Sequence, residues 1–285
     1  MKVSSVFKAG LALATLALCG LAGPALAAAG PVTIPLSPYL GVIWSFQAQI
    51  DGKPETFLLD TAGGFTVITP QTAARIGCAP WGRITGFRMR GDRIDLQQCD
   101  GLAFSAGGAA FKAPTAGVWD FSNVLPKDAP PLAGSIALDA FAGRIVTLDL
   151  SRKQLVIETP DSLKSRIAAA REVELRLSRE AAGLALTPFV AVMTAKGRVW
   201  LELDTGSDAA AMIGDHAVGL LGMTADNGKP QPLQAELAGG VKFDTQAART
   251  LPLIIDGNIG APILATWIVT LDLERGRAWI APAAP

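Results

Sequence analysis

Apolar residues in this chain come in short runs, often alternating with polar ones and punctuated by Gly, Pro and Asp. That rhythm predicts strands with few long helices. Val42 to Ile50, turning through Asp51-Gly52 into Glu55 to Asp60, reads as a hairpin. Phe65 to Thr69 reads as a strand. Pro70 to Ile76 reads as a short helix, with Thr69 to cap it, Pro70 at its first position and Gly77 to stop it. The same grammar returns later. Phe189 to Thr194 turns through Lys196-Gly197 into Val199 to Asp204, and Ala209 to Ile213 follows as a strand. Asp215 is then placed to cap a short helix ending near Gly222. Asp161 to Glu172 is the best helical stretch and lies between the two series.

The repetition extends to the residues themselves. Phe57-Leu58-Leu59-Asp60-Thr61-Ala62-Gly63 is echoed by Leu201-Glu202-Leu203-Asp204-Thr205-Gly206-Ser207. Gly134-Ser135-Ile136-Ala137 is echoed by Gly257-Asn258-Ile259-Gly260, and Ile145-Val146-Thr147-Leu148-Asp149-Leu150 returns unchanged at Ile268 to Leu273. A repeat of roughly 120 residues is too long for a solenoid unit. The chain therefore reads as a duplicated domain, with a first lobe at 29–165, which carries extra loop including the Pro-rich stretch 126–131, and a second lobe at 166–285.

Charge narrows the function classes. Twenty-five basic residues balance 25 acidic ones, and no long basic stripe points to nucleic acid. Residues 1–28 read as a secretory signal: Lys2 and Lys8, an apolar run from Ala9 to Ala22, and Ala25-Leu26-Ala27 as a cleavage pattern. The run is too short for a membrane span, and no later stretch approaches about 18 uninterrupted apolar residues. An exported protein, periplasmic or secreted and without stable membrane insertion after signal removal, is expected. Cys19 raises a lipoprotein reading, against which Leu18 stands where a small residue belongs. Cys78 and Cys99 remain, either as one loop-closing disulfide or as two buried free thiols. His216 is the only histidine and no Gly-x-Ser-x-Gly turn is present, so two-His metal motifs and most serine or cysteine hydrolase readings fall away. No metal and no cofactor is implied, and His216 reads as a surface residue.

The chemistry points to Asp60 and Asp204. A strand ending in Asp, followed by a turn of small residues, holds a carboxylate at a loop tip. Two such tips brought together cannot both ionise readily, so they share a proton. One then serves as base toward a water and the other as acid toward a carbonyl.

In these motifs the chain resembles the aspartic peptidases of the pepsin and retropepsin superfamily, most closely exported bacterial retropepsin-like proteins in a two-lobed, single-chain form. The resemblance spans nearly the whole mature chain. It implies an all-β fold of two similar closed β-barrel lobes related by a pseudo-twofold axis. It also implies an aspartic endopeptidase acting on polypeptide, monomeric because one chain supplies both acids. Asp60 and Asp204 would be the dyad, Thr61 and Thr205 would cross-bond the turns, and Gly206 would complete the second turn. Ser207 would bond the outer oxygen of Asp204. Gly63, its match, has no hydroxyl, which puts the shared proton on Asp60. Flap hairpins are expected at Ile84 to Leu96, turning near Arg90-Gly91, and at Leu233 to Phe243, turning at Gly239-Gly240.

Three departures support an alternative, a catalytically silent peptide-binding or scaffold protein retaining the fold. Ala62 replaces the glycine that would admit conformations costly to other residues. Gly63 carries no hydroxyl where Ser207 does. The sole tyrosine, Tyr39, lies in neither hairpin. Apart from these, Ala137 stands where Gly260 stands, which would alter packing behind the first turn. A small-molecule hydrolase using the same pair is a third reading. Asp149 and Asp272 are expected to serve structure, Asp208 to be a solvated loop acid, and Trp81 to sit in the core or at the cleft rim.

Overall fold

The computed structural model describes residues 30–226 and 228–284. The expected signal segment and Cys19 lie outside them. The described chain is all-β, with three short α-helices and four 3-10 turns. None of these helices is long and apolar enough to cross a membrane.

The strands form three sheets. One six-stranded sheet draws on both halves and has the duplicated strands at its centre. Ile145–Asp149 pairs antiparallel with Trp267–Asp272, so that Ile145 lies opposite Asp272 and Asp149 opposite Ile268. At the midpoint Thr147 and Thr270 hydrogen-bond through their hydroxyls at 2.9 Å. Asp149 and Asp272 each close the turn that follows. Asp149 accepts from the Arg152 N–H and guanidinium, and Asp272 from those of Arg275.

The other two sheets carry the Asp-bearing strands. In the first half, Lys53–Leu59 lies between Ile43–Ile50 and Gly134–Ile136, the latter running parallel to it. In the second, Gly197–Asp204 lies between Thr187–Thr194 and the parallel Gly257–Gly260. The glycines at the start of these parallel strands are required by contact. A methyl on Gly134 would meet Val67 O at 2.1 Å, and one on Gly257 would meet Met212 O at 2.4 Å. Both sheets run as linear strand orders, not the closed rings expected. In the second, one isolated bridge, Val192 to Leu237, links the far hairpin back to Thr187–Thr194.

Local readings hold where short-range chemistry decides. The Thr69 hydroxyl caps Pro70–Arg75 by accepting from the Thr72 N–H. Elsewhere tertiary contacts override them. The strand expected at Phe65 to Thr69 shrinks to Val67–Ile68, because the Thr66 N–H and hydroxyl turn instead to Asp139. The connecting helix, Pro160–Ile167, ends early, since Arg171–Val173 pairs as an edge strand with Arg277–Pro282. Asp215 caps nothing; a 3-10 turn, Val218–Leu220, starts after Ala217 without a side-chain cap.

Cys78 and Cys99 are joined in a disulfide, their Cα atoms 5.9 Å apart. It ties the end of the first helix to Arg93–Cys99, one arm of the hairpin over the cleft.

Candidate functional site

The two Asp-Thr turns meet. The Thr61 N–H donates to Thr205 Oγ1 at 3.0 Å, and the Thr205 N–H donates to Thr61 Oγ1 at 3.0 Å. Each hydroxyl passes its own proton across: Thr205 to Leu59 O at 2.7 Å, Thr61 to Leu203 O. Both threonines are fully buried. An orphaned buried donor costs about 1–3 kcal/mol. Thr61→Ala, which strands the Thr205 N–H, is therefore expected to cost about 2 kcal/mol in urea unfolding, and Thr61→Ser under 1 kcal/mol. Equal losses would show that the hydroxyl is not the active feature.

The grip sets Asp60 and Asp204 side by side at the floor of a cavity of about 710 Å³. The Ala62 N–H donates to Asp60 Oδ1 at 3.1 Å, and the Gly206 N–H to Asp204 Oδ1 at 2.8 Å. Gly206 lies directly against the opposite acid: a methyl there would stand 2.9 Å from Asp60 Cγ. That contact, not the dihedral, demands glycine. Neither Ala62 nor Gly206 adopts a positive φ, so the anticipated backbone cost at Ala62 does not arise. The left-handed residue of the first turn is Gly64, at φ +75°.

Burial raises both carboxyls. Asp204 is pushed up to about 7, by desolvation first and by the neighbouring Asp60 second. Asp60 is also raised by burial, while hydrogen bonds from Ala62 and Gly63 and the Arg88 charge pull it back. Both acids are thus raised, and each stands close enough to act on the other's proton. Ser207 does not play the expected part. Its hydroxyl is buried with no hydrogen-bond partner and does not support Asp204. Asn258 takes that place, donating from Nδ2 to Asp204 Oδ2 at 2.7 Å while its Oδ1 accepts from the Met212 N–H.

The first hairpin, Trp81–Phe87 and Arg93–Cys99, roofs the cavity. Its tip at Met89, Arg90 and Gly91 reaches the second half, where the Ile254 N–H donates to Met89 O at 2.9 Å. The second expected flap lies elsewhere. Gly239 packs against the Glu172 backbone, and neither it nor Gly240 lines this cavity. Tyr39 is structural, donating to Pro130 O at 2.7 Å. Trp81 sits on the hairpin surface, bonded to Asp100, and Trp119 is the tryptophan lining the cleft. His216 is exposed and pairs with Asp256.

Four residues of the site escaped the sequence reading: Glu202, Asn258, Asp139 and Trp119. For two of them the repeat carried a signal. Glu202 stands where the first copy has Leu58, and Asn258 where it has Ser135. Asp139 backs the first turn, accepting from the Thr66 N–H and hydroxyl, and burial raises it to about 6. Among the described residues no group of His, Cys, Asp and Glu is arranged to hold a metal ion.

No protein-family model matches the chain, and no curated protein matches it. Solved structures do. Basic 7S globulin from soybean superimposes with a TM-score of 0.59 at 11% identity, over 88% of this chain and 95% of the globulin. Conglutin gamma, a basic 7S globulin from lupine seeds, does so with a TM-score of 0.57 at 11% identity, over 88% and 94%. At this identity the likeness establishes the fold alone. It overturns the placement among exported bacterial retropepsin-like peptidases: the chain resembles plant seed globulins in fold, and no family model joins it to those enzymes. The all-β fold shared with the two globulins stands; membership of that enzyme family does not.

Proposed function

We infer that this chain holds an extended polypeptide in its cleft and that its carboxylate pair is catalytically silent. The cleft supports the first part. It runs between the two halves beneath a hairpin whose tip must part from Ile254 to admit a chain. The state of Asp204 carries the second. Both its oxygens already hold donors, Gly206 N–H and Asn258 Nδ2. These donors favour the charged form of Asp204, which has no proton to hand to a carbonyl. The Ala62 side chain adds bulk to the cavity wall where the matched Gly206 leaves bare backbone. The matching strand orders and the paired identical strands favour two lobes about an approximate twofold axis. The disulfide suits an oxidising, exported setting, and one chain carrying both acids suits a monomer.

A second reading, peptide hydrolysis, is favoured by one observation: two adjacent buried acids with raised proton affinity, held level by the threonine grip. One experiment separates the readings. A randomised peptide library is incubated with the protein from about pH 4 to about pH 8, a range that spans Asp204 at about 7. Bound and cut peptides are then read by mass spectrometry. Silence predicts peptides retained intact by the native chain and by Asp60→Asn and Asp204→Asn alike. Cleavage lost in both variants would establish hydrolysis instead.

A further inference from the structure

Glu202 is an acid where the fold asks only for an apolar side chain. It lies two residues before Asp204, and strand alternation puts it on the same face, toward the cleft. Its counterpart, two residues before Asp60, is Leu58. The two are equally buried, each 8% exposed. The first half thus shows that a hydrocarbon satisfies the packing at this position. A carboxylate there brings a desolvation cost that packing does not require.

Nothing among the described residues offsets that cost. The Glu202 carboxylate has no hydrogen-bond or ion-pair partner among the described residues, yet it lines the cavity. The charged groups that act on it are all acids: Asp204, Asp60 and Glu180, and together with burial they raise its proton affinity well above the glutamate range. The cations of the cavity, Arg88 and Arg90, stand on the roofing hairpin, and Arg88 acts on Asp60. On the first-half side the walls are apolar, built from Phe65, Ile84 and Leu96 with Trp119 packed against them. The cleft therefore offers an apolar wall as well as a group of acids.

We propose that Glu202 is the seat for a cationic side chain, lysine or arginine, of a polypeptide whose large apolar residue lies against that apolar wall. This rests on the polypeptide-binding reading above and deepens it. An ammonium or guanidinium group supplies the partner that the fold withholds. Its arrival displaces the Glu202 proton to solvent and leaves a carboxylate–cation pair. A metal ion is the weaker occupant, since the surrounding acids are not arranged to share one.

The test compares the native chain, Glu202→Gln and Glu202→Leu. The leucine variant copies the residue that the first half already accepts, so loss of folding does not confound it. Peptides selected from a randomised library are resynthesised with lysine replaced by norleucine. Their affinities are measured by calorimetry in two buffers of different protonation enthalpy. The native chain is expected to favour lysine over norleucine by roughly 30-fold or more, the scale of a buried charge pair, and to release a proton on binding. Both variants are expected to lose the preference and the proton release. Peptides that bind without any lysine or arginine preference, or a preference that survives in both variants, overturn the role of Glu202 and leave polypeptide binding intact. Failure of every peptide to bind overturns polypeptide binding and this inference with it.

Discussion

Acidification from about pH 8 to about pH 5 is expected to make this protein harder to unfold, by several kcal/mol, because its buried acids bind protons more tightly when folded. Asp139 gives the cleanest case. It is 6% exposed, and burial raises it to about 6 although two hydrogen bonds from Thr66 pull the other way. In the unfolded chain an aspartate takes up its proton only near about 3.9. Between those values the folded state holds a proton that the unfolded state has lost, so lowering the pH favours folding. The contribution is complete below the unfolded value and is lost as pH rises through about 6. Two units correspond to about 3 kcal/mol. Asp204, at about 7, acts in the same direction over a higher window, and Asp60 and Glu202 add to it. Asp95, Asp120 and Glu172 shift downward, but all three are surface groups whose effect solvent screens. Urea unfolding at stepped pH checks this. Asp139→Asn keeps an oxygen to accept from Thr66 and cannot titrate, so its curve should be flatter than the native one by about 3 kcal/mol between pH 4 and 7. Parallel curves for the two proteins would refute the assignment.

Adding one methyl at Gly260 is expected to cost about 3 kcal/mol or to prevent folding, at the upper end of overpacking effects. The backbone there is extended, at φ −91° and ψ −179°, which alanine adopts freely. The obstacle is space. The new Cβ would lie 1.9 Å from Ala209 O, 3.0 Å from Ser207 O and 3.1 Å from the Ser207 hydroxyl. Two of these are backbone atoms and cannot swing aside. They belong to the loop that follows the Asp204 turn, and Gly260 is bonded to that loop through its N–H to Ala210 O at 3.0 Å. Relief of the clash would therefore move the turn that holds the acid. The matched residue of the first half is already alanine. Ala137 is buried, and its N–H reaches the Thr66 hydroxyl at 3.3 Å. Ala137→Gly should cost only about 1 kcal/mol, through backbone entropy and lost burial. Thermal unfolding of the two variants side by side tests the contrast. Similar small losses would mean that the Ala209 carbonyl yields although the neighbouring Ala210 carbonyl is bonded to Gly260.

The same asymmetry explains what each level of description could reveal about the site. Asp60 and Asp204 were legible because each ends an apolar strand within a repeated motif, and a repeat is visible without coordinates. Thr61 and Thr205 were legible for the same reason. Ser207 was misread. Its type suits the expected bond, but the Asn258 amide reaches Asp204 first, and that amide arrives on a strand 54 residues away. Proton affinity was out of reach as well, because a carboxyl's affinity is set by burial and neighbouring charge, and neither is local in the chain. The second hairpin was read correctly as a hairpin, but its place in space was not. A turn at Gly239-Gly240 looks the same in sequence whether it covers a cleft or packs, as it does, on the Glu172 backbone.

By itself the sequence determined the all-β class, the duplication, the two acids and threonines, and the helix cap at Thr69. These follow from periodicity, repetition and contacts within a few residues, which survive in a one-dimensional string. Only the tertiary structure decided that the cysteines are joined, that Asn258 serves Asp204, that one hairpin and not two roofs the cavity, and that Glu202 faces it without a partner. Each of these depends on which distant segments come within hydrogen-bond or ion-pair range. Solvent exclusion around those contacts sets their energies, and neither quantity is encoded at any single position.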